Sequence, residues 1–231
     1  MTLPETQTIL AGLRTIVVGE VDAPIVIVMC HGYSMLPEEL SPFAHTLGVS
    51  AQWFFPEGVV DAEPEPGVLR GRSWWKTDPV KRVSARASGP RDFANLQPAD
   101  LPQARARFSA WLDEVLRLAR RRPVIVGGFS SGGMLVLDTQ LHAPRPLAAL
   151  VLLSSTRIAF TQQKPLLSGL AGLPVLITHG RADDELAFAA GQALRDAAQA
   201  GGADVNWLAF EGGHEIPLVV WRGLRQFLRR F

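Results

Sequence analysis

The chain has one cysteine in 231 residues, a net charge of only +1 and no apolar run long enough to cross a bilayer. Each shortage excludes something. A lone thiol, Cys30, cannot build an internal disulfide framework, and inside the run 25–29 it reads as a small buried hydrophobe. The start, residues 1–10, has neither the basic head nor the long apolar core of a secretory signal. A reduced, cytoplasmic setting is therefore expected. A bilayer span takes roughly 18–20 consecutive apolar residues, so no transmembrane segment is expected either. With 23 basic and 22 acidic residues there is no bulk attraction to nucleic acid or to an acidic surface. The one tight basic run, Arg120-Arg121-Arg122 before Pro123, reads as cations offsetting the negative end of a helix. Metal-ligand spacing is missing, and so is an arginine cluster that would point to a phosphorylated substrate. Neither a metal nor a cofactor is expected.

What is present is a globular composition, 47% hydrophobic and 19% charged, at a length suited to one α/β domain over residues 1–231. Short apolar runs at 13–18, 24–30, 51–56, 124–127, 147–153, 174–178 and 205–210 read as strands. Helical stretches at 38–47, 103–122, 134–141, 185–200 and 217–231 alternate with them. In the second of these, Phe108, Leu112, Val115, Leu116 and Ala119 share one stripe. Such alternation implies a mostly parallel central sheet with helices on both faces. The segment 57–102 breaks the pattern with many prolines, glycines and charges and the pair Trp74-Trp75, and is expected to be an active-site loop region.

Chemistry concentrates at residues 123–137, where a buried strand runs into Gly128-Phe129-Ser130-Ser131-Gly132 and then into a helix. A serine raised on a strand-to-helix turn needs small neighbours, and the helix N-terminus favours negative charge beside it. A serine hydroxyl also needs a base, and the base needs a carboxylate. Beyond the ends of later strands stand Asp183 and His214, giving the chain order serine, acid, histidine. Asp183 is preferred to Asp184, since Asp184-Glu185 reads as a helix cap and first turn. Among rival bases, His31 is expected to shape its loop, His179 to be packed, and His45 and His142 to lie in or near helices. His214 follows two glycines, which lets it reach back over the sheet. Two amides must face the developing oxyanion: Ser131, and Tyr33 in preference to Ser34.

His31-Gly32-Tyr33, Gly128-Phe129-Ser130-Ser131-Gly132-Gly133, His179-Gly180-Arg181-Ala182-Asp183-Asp184 and Gly212-Gly213-His214 together resemble the phospholipase/carboxylesterase branch of the α/β-hydrolases, which includes acyl-protein thioesterases. The likeness spans nearly the whole chain. It implies an α/β-hydrolase fold with Ser130 as nucleophile, Asp183 as acid, His214 as base, and the Tyr33 and Ser131 amides as oxyanion hole. Arg72-Ser73-Trp74-Trp75 is similar to the family's aromatic element near the acyl pocket. Ser131 departs from the glutamine often found after the nucleophile, which leaves the amide in place but alters pocket contacts. Dienelactone hydrolases share the fold but usually carry cysteine where Ser130 stands.

Only about twenty residues, 155–174, separate two late strands, too few for a large cap domain. Trp74, Trp75, Phe160, Leu166 and Leu167 are candidates for an apolar acyl groove, the alternative being that each packs the core. A small-molecule carboxylic ester or thioester is the expected substrate, and a homodimer is compatible with the sequence. A serine peptidase of the same fold and a non-catalytic binding module are the competing interpretations.

Overall fold

Residues 3–231 are described by the computed structural model of the chain. It opens with a hairpin, β1 (Glu5–Leu10) and β2 (Leu13–Val18), then runs through β3 (Ile25–Cys30), α1 (Ser41–Thr46) and β4 (Ala51–Pro56). A small ribbon, β5 (Val60–Asp61) and β6 (Arg72–Ser73), precedes α2 (Pro79–Ala87) and the long α3 (Leu101–Ala119). Strands and helices then alternate through β7 (Val124–Phe129), α4 (Ser131–His142), β8 (Ala149–Leu153), α5 (Phe160–Gln163) and β9 (Pro174–Gly180). The last elements are α6 (Phe188–Ala200), β10 (Asp204–Phe210) and α7 (Leu218–Leu228).

The main sheet has the order β1-β2-β4-β3-β7-β8-β9-β10. Within this sheet every pairing from β4 across to β10 is parallel, and only β1 with β2 and β2 with β4 are antiparallel. Strand alternation divides the core into two layers. Val26, Val28 and Cys30 of β3 face the layer that holds Phe108 and Trp111 of α3 and Leu135 of α4. Ile25, Ile27 and Met29 face the layer that holds Ala44 of α1 and Val220 and Leu224 of α7. All six residues of β3 and of β7 are buried, as strands covered on both faces must be.

The helix expected at 38–47 is split, with a 3₁₀ turn at Pro37–Glu39 before α1. The strand β1, whose residues are mostly exposed, carries too little apolar signal to be read from sequence. Ala11 and Gly12 join it to β2 with φ values of 43° and 80°, both in the left-handed region that a two-residue hairpin turn requires. The basic run ends α3 as expected: the Arg122 guanidinium donates to the carbonyls of Ala119 and Leu118. Between β8 and β9 stand only α5 and a 3₁₀ helix, Lys164–Leu170, so no large cap domain is present among the described residues. No helix among them is long and apolar enough to cross a membrane.

Candidate active site

The parallel strands point their carboxyl ends to one rim of the sheet, where side chains from β3, β7, β9 and β10 meet. Ser130 stands directly after β7 with φ 54° and ψ −121°, a strained backbone for a residue with a Cβ. The strain is held from both sides. The Ser130 amide donates to Leu153 C=O at 2.9 Å, and the Ser155 hydroxyl donates to Ser130 C=O at 3.0 Å. Glycine is forced at two neighbours: a Cβ on Gly128 would collide with the Gly132–Gly133 backbone, and one on Gly132 with the carbonyls of Cys30 and His31. The turn can therefore press against β3 only with these residues bare.

Ser130 Oγ lies 2.9 Å from His214 Nε2, and His214 Nδ1 lies 2.7 Å from Asp183 Oδ2. The His214 ring also packs on Phe129, with centroids 4.9 Å apart. Asp183 is fully engaged, because its Oδ1 accepts from the amides of Glu185 and Leu186 at 2.9 and 2.8 Å. Burial alone would raise the Asp183 carboxyl. The hydrogen bond from His214, its charge and the two amides outweigh burial and hold the group below the ordinary carboxylate value. Asp184 is exposed and takes no part. The capping role that the sequence assigned to Asp184 thus falls to Asp183 itself, and α6 starts only at Phe188.

The other histidines sit elsewhere in the framework. His31 is 1% exposed, with its Nδ1 2.7 Å from Gly32 C=O and its Nε2 accepting from the Gly58 amide at 2.9 Å. Burial pushes its pKa down to about 4, so it stays neutral and anchors the loop. His179 is buried and lies 3.0 Å from Leu186 C=O through Nε2, beneath the Asp183 turn. His45 contacts Glu5, and His142 contacts Asp138 C=O on α4.

Tyr33 and Ser131 line the same cavity as Ser130 and His214, about 290 Å³ in volume. The Ser34 amide is spent on Arg72 C=O and that of Met35 on Gly32 C=O. Among the described residues, neither the Tyr33 nor the Ser131 amide has an acceptor, and a Cβ on Gly32 would crowd Phe129, Met35 and Ser130. Both amides are thus free to donate.

Of the five residues expected in the acyl groove, only Trp75 lines this cavity. Trp74 is 1% exposed and donates through Nε1 to His31 C=O at 2.8 Å, so it holds the loop from inside the core. Phe160 lies under the Arg157 guanidinium on α5, and Leu166 and Leu167 pack against the core from the 3₁₀ helix. These four are corrected from groove to framework: Trp74 is tied to the His31 carbonyl within the core, and the β8–β9 connection that carries the other three packs on α4 and α6. The cavity walls come from the segment 57–102 instead, with Thr77, Arg82, Arg91, Phe93 and Leu96. The absence of an arginine cluster is also overturned: Arg82, Arg86 and Arg91 converge on Glu185. Spread over ten positions and two elements, they form no run in the sequence.

The sequence profile of the phospholipase/carboxylesterase family matches residues 12–231. The chain belongs to that family. A curated relative, acyl-protein thioesterase 1 of Neurospora crassa, is 29% identical over 109 residues, covering 46% of this chain and 44% of that protein. The match thus spans under half the length of that relative. Among solved structures, a Mesorhizobium loti carboxylesterase aligns with a TM-score of 0.75 at 21% identity over 99% of both chains. The esterase PE8 aligns at 0.74 and 22% identity, covering 100% of this chain and 99% of its own. These likenesses establish the α/β-hydrolase fold, and family membership supports a serine ester or thioester hydrolase.

Proposed function

We propose that the chain is a serine hydrolase that cleaves small carboxylic esters or thioesters through an acyl-enzyme, within one domain and in the cytoplasm. The observation that carries this is the relay Ser130 Oγ–His214 Nε2–Asp183 at 2.9 and 2.7 Å, set at the strained turn of a family with this chemistry. With Nδ1–H donating to Asp183, His214 presents a bare Nε2 to the Ser130 hydroxyl. His214 takes that proton as Oγ attacks the acyl carbon, and the Tyr33 and Ser131 amides meet the negative oxygen. His214 then gives the proton to the departing alcohol or thiol. Water, losing a proton to the same nitrogen, attacks the acyl-enzyme and frees the acid and Ser130. A buried, unpaired Cys30 agrees with a reducing compartment.

The test is labelling with a fluorophosphonate probe followed by peptide mapping. The adduct is expected on Ser130, and Ser130→Ala is expected to lose it together with at least about 10⁴-fold in kcat toward a chromogenic acyl ester. Folded protein that takes no adduct and turns over no ester would favour a binding module instead.

A further inference from the structure

We propose that the cavity beside Ser130 selects substrates carrying an anionic group, a carboxylate or a phosphate, held between the guanidinium groups of Arg82 and Arg91. The inference deepens the hydrolase proposal and rests on it.

Charge is the first argument. Arg91 pairs with Glu185, Arg86 Nε lies 2.8 Å from the same carboxylate, and Arg82 Nη2 lies 3.7 Å from it. One carboxylate among three guanidinium groups leaves two positive charges uncompensated. Neighbouring acids are spoken for: Asp183 holds His214, Asp92 pairs with Arg157, and Asp78 caps α2. The Glu63 carboxylate accepts from the Gly67 amide. Arg86 is half exposed and faces water, whereas Arg82 and Arg91 are 15% exposed and line the cavity with Ser130. Burial, together with the nearby charges of Arg82 and Arg86, holds the Arg91 guanidinium below its ordinary pKa despite Glu185. An incoming anion relieves that crowding.

Geometry is the second. Arg82 gives Nη1 to Pro64 C=O, and Arg91 gives Nε and Nη2 to Glu185. That leaves Arg82 Nε and Arg91 Nη1 without an acceptor among the described residues, and both guanidinium groups are already oriented. Arg82 lies 4.8 Å over the Tyr33 ring and Arg91 lies 5.0 Å over the Phe93 ring. The Arg91 backbone is tied to the acid loop as well, donating to Glu185 C=O and accepting from the Ala187 amide. A second cavity of about 240 Å³ shares Trp75, Arg82, Arg91 and Phe93 with the first, so the arginines stand at the junction of the two. Met35, Phe129 and Leu186 add apolar lining to the cavity that holds Ser130, Arg82 and Arg91. A short hydrocarbon chain ending in an anion suits a cavity that combines these apolar walls with the two guanidinium groups.

The decisive experiment compares kcat/KM for monoethyl adipate, for an ethyl ester of equal length ending in phosphate, and for uncharged ethyl hexanoate. At least one anionic ester is expected to exceed the neutral one by about tenfold or more, since a charge-assisted pair shielded from water contributes that much. Which anionic ester leads distinguishes a carboxylate from a phosphate. In Arg82→Gln the anionic-to-neutral ratio is expected to fall about tenfold, and Arg82→Lys is expected to recover part of it, with melting temperatures confirming that both variants fold. A ratio near one in the wild type, with ethyl hexanoate turned over, would overturn the anion inference and leave the hydrolase proposal standing. No turnover of any ester would overturn both.

Discussion

Asp183 meets four demands with two oxygens. It orients His214, neutralises the imidazolium that forms, and accepts the two amides that shape its own turn, while His179 packs beneath. The sequence singled out this residue for a partly mistaken reason, because it gave the cap to Asp184. Three residues past the end of β9, Asp183 both holds His214 and caps the turn that follows. Asp183→Asn keeps the size but removes the charge and unsettles the His214 tautomer, so kcat is expected to fall by about 10⁴ with little change in KM. Asp184→Asn, on the exposed neighbour, is expected to stay within twofold of wild type in the same assay. Equal losses in the two variants would contradict the geometry.

At the scale of elements, the parallel strands and the turns that follow them were legible, because a buried parallel strand is a nearly pure apolar run, whereas β1, β5 and β6 were not. The segment 57–102 was not. Its helix α2 is short and contributes no buried residue, its apolar side with Val80 and Val83 being exposed. A local signal was available nonetheless: Asp78 before Pro79 is a cap followed by a first-turn proline, and the Asp78 carboxylate does accept from the amides of Val80 and Lys81. The same lack of burial predicts weak local stability. Amides of α2 are expected to exchange with solvent orders of magnitude faster than those of α3, which buries Phe108, Trp111 and Val115. Asp78→Ala is expected to speed exchange in α2 further, by about fivefold for about 1 kcal/mol of lost capping, leaving α3 unchanged. Mass-spectrometric exchange on peptides from the two helices would read both effects. Equal protection in α2 and α3 would mean that this wall of the cavity is as rigid as the core.

Across the whole molecule, the sequence conveyed the layered sheet but not the arrangement of its rim, since contacts between loops far apart in the chain obey no periodicity. His31 shows what such contacts do to global stability. Unfolded, its imidazole titrates near the ordinary 6.5; folded, burial lowers it to about 4. Between those values the unfolded chain binds a proton that the native state refuses, so stability is lost as pH falls from 6.5 toward 4 and levels off below. At 1.36 kcal/mol per unit the loss reaches about 3 kcal/mol by pH 4. His179, also lowered chiefly by burial, acts in the same direction. Asp183, held below the ordinary carboxylate value, adds stability that persists through this range and disappears only at lower pH. Urea unfolding from pH 7 to pH 4 is therefore expected to show a falling midpoint with an almost unchanged m-value. In His31→Asn the fall should be shallower by roughly 3 kcal/mol, even if that variant is less stable at pH 7. Parallel curves for wild type and variant would place the acid sensitivity elsewhere in the fold.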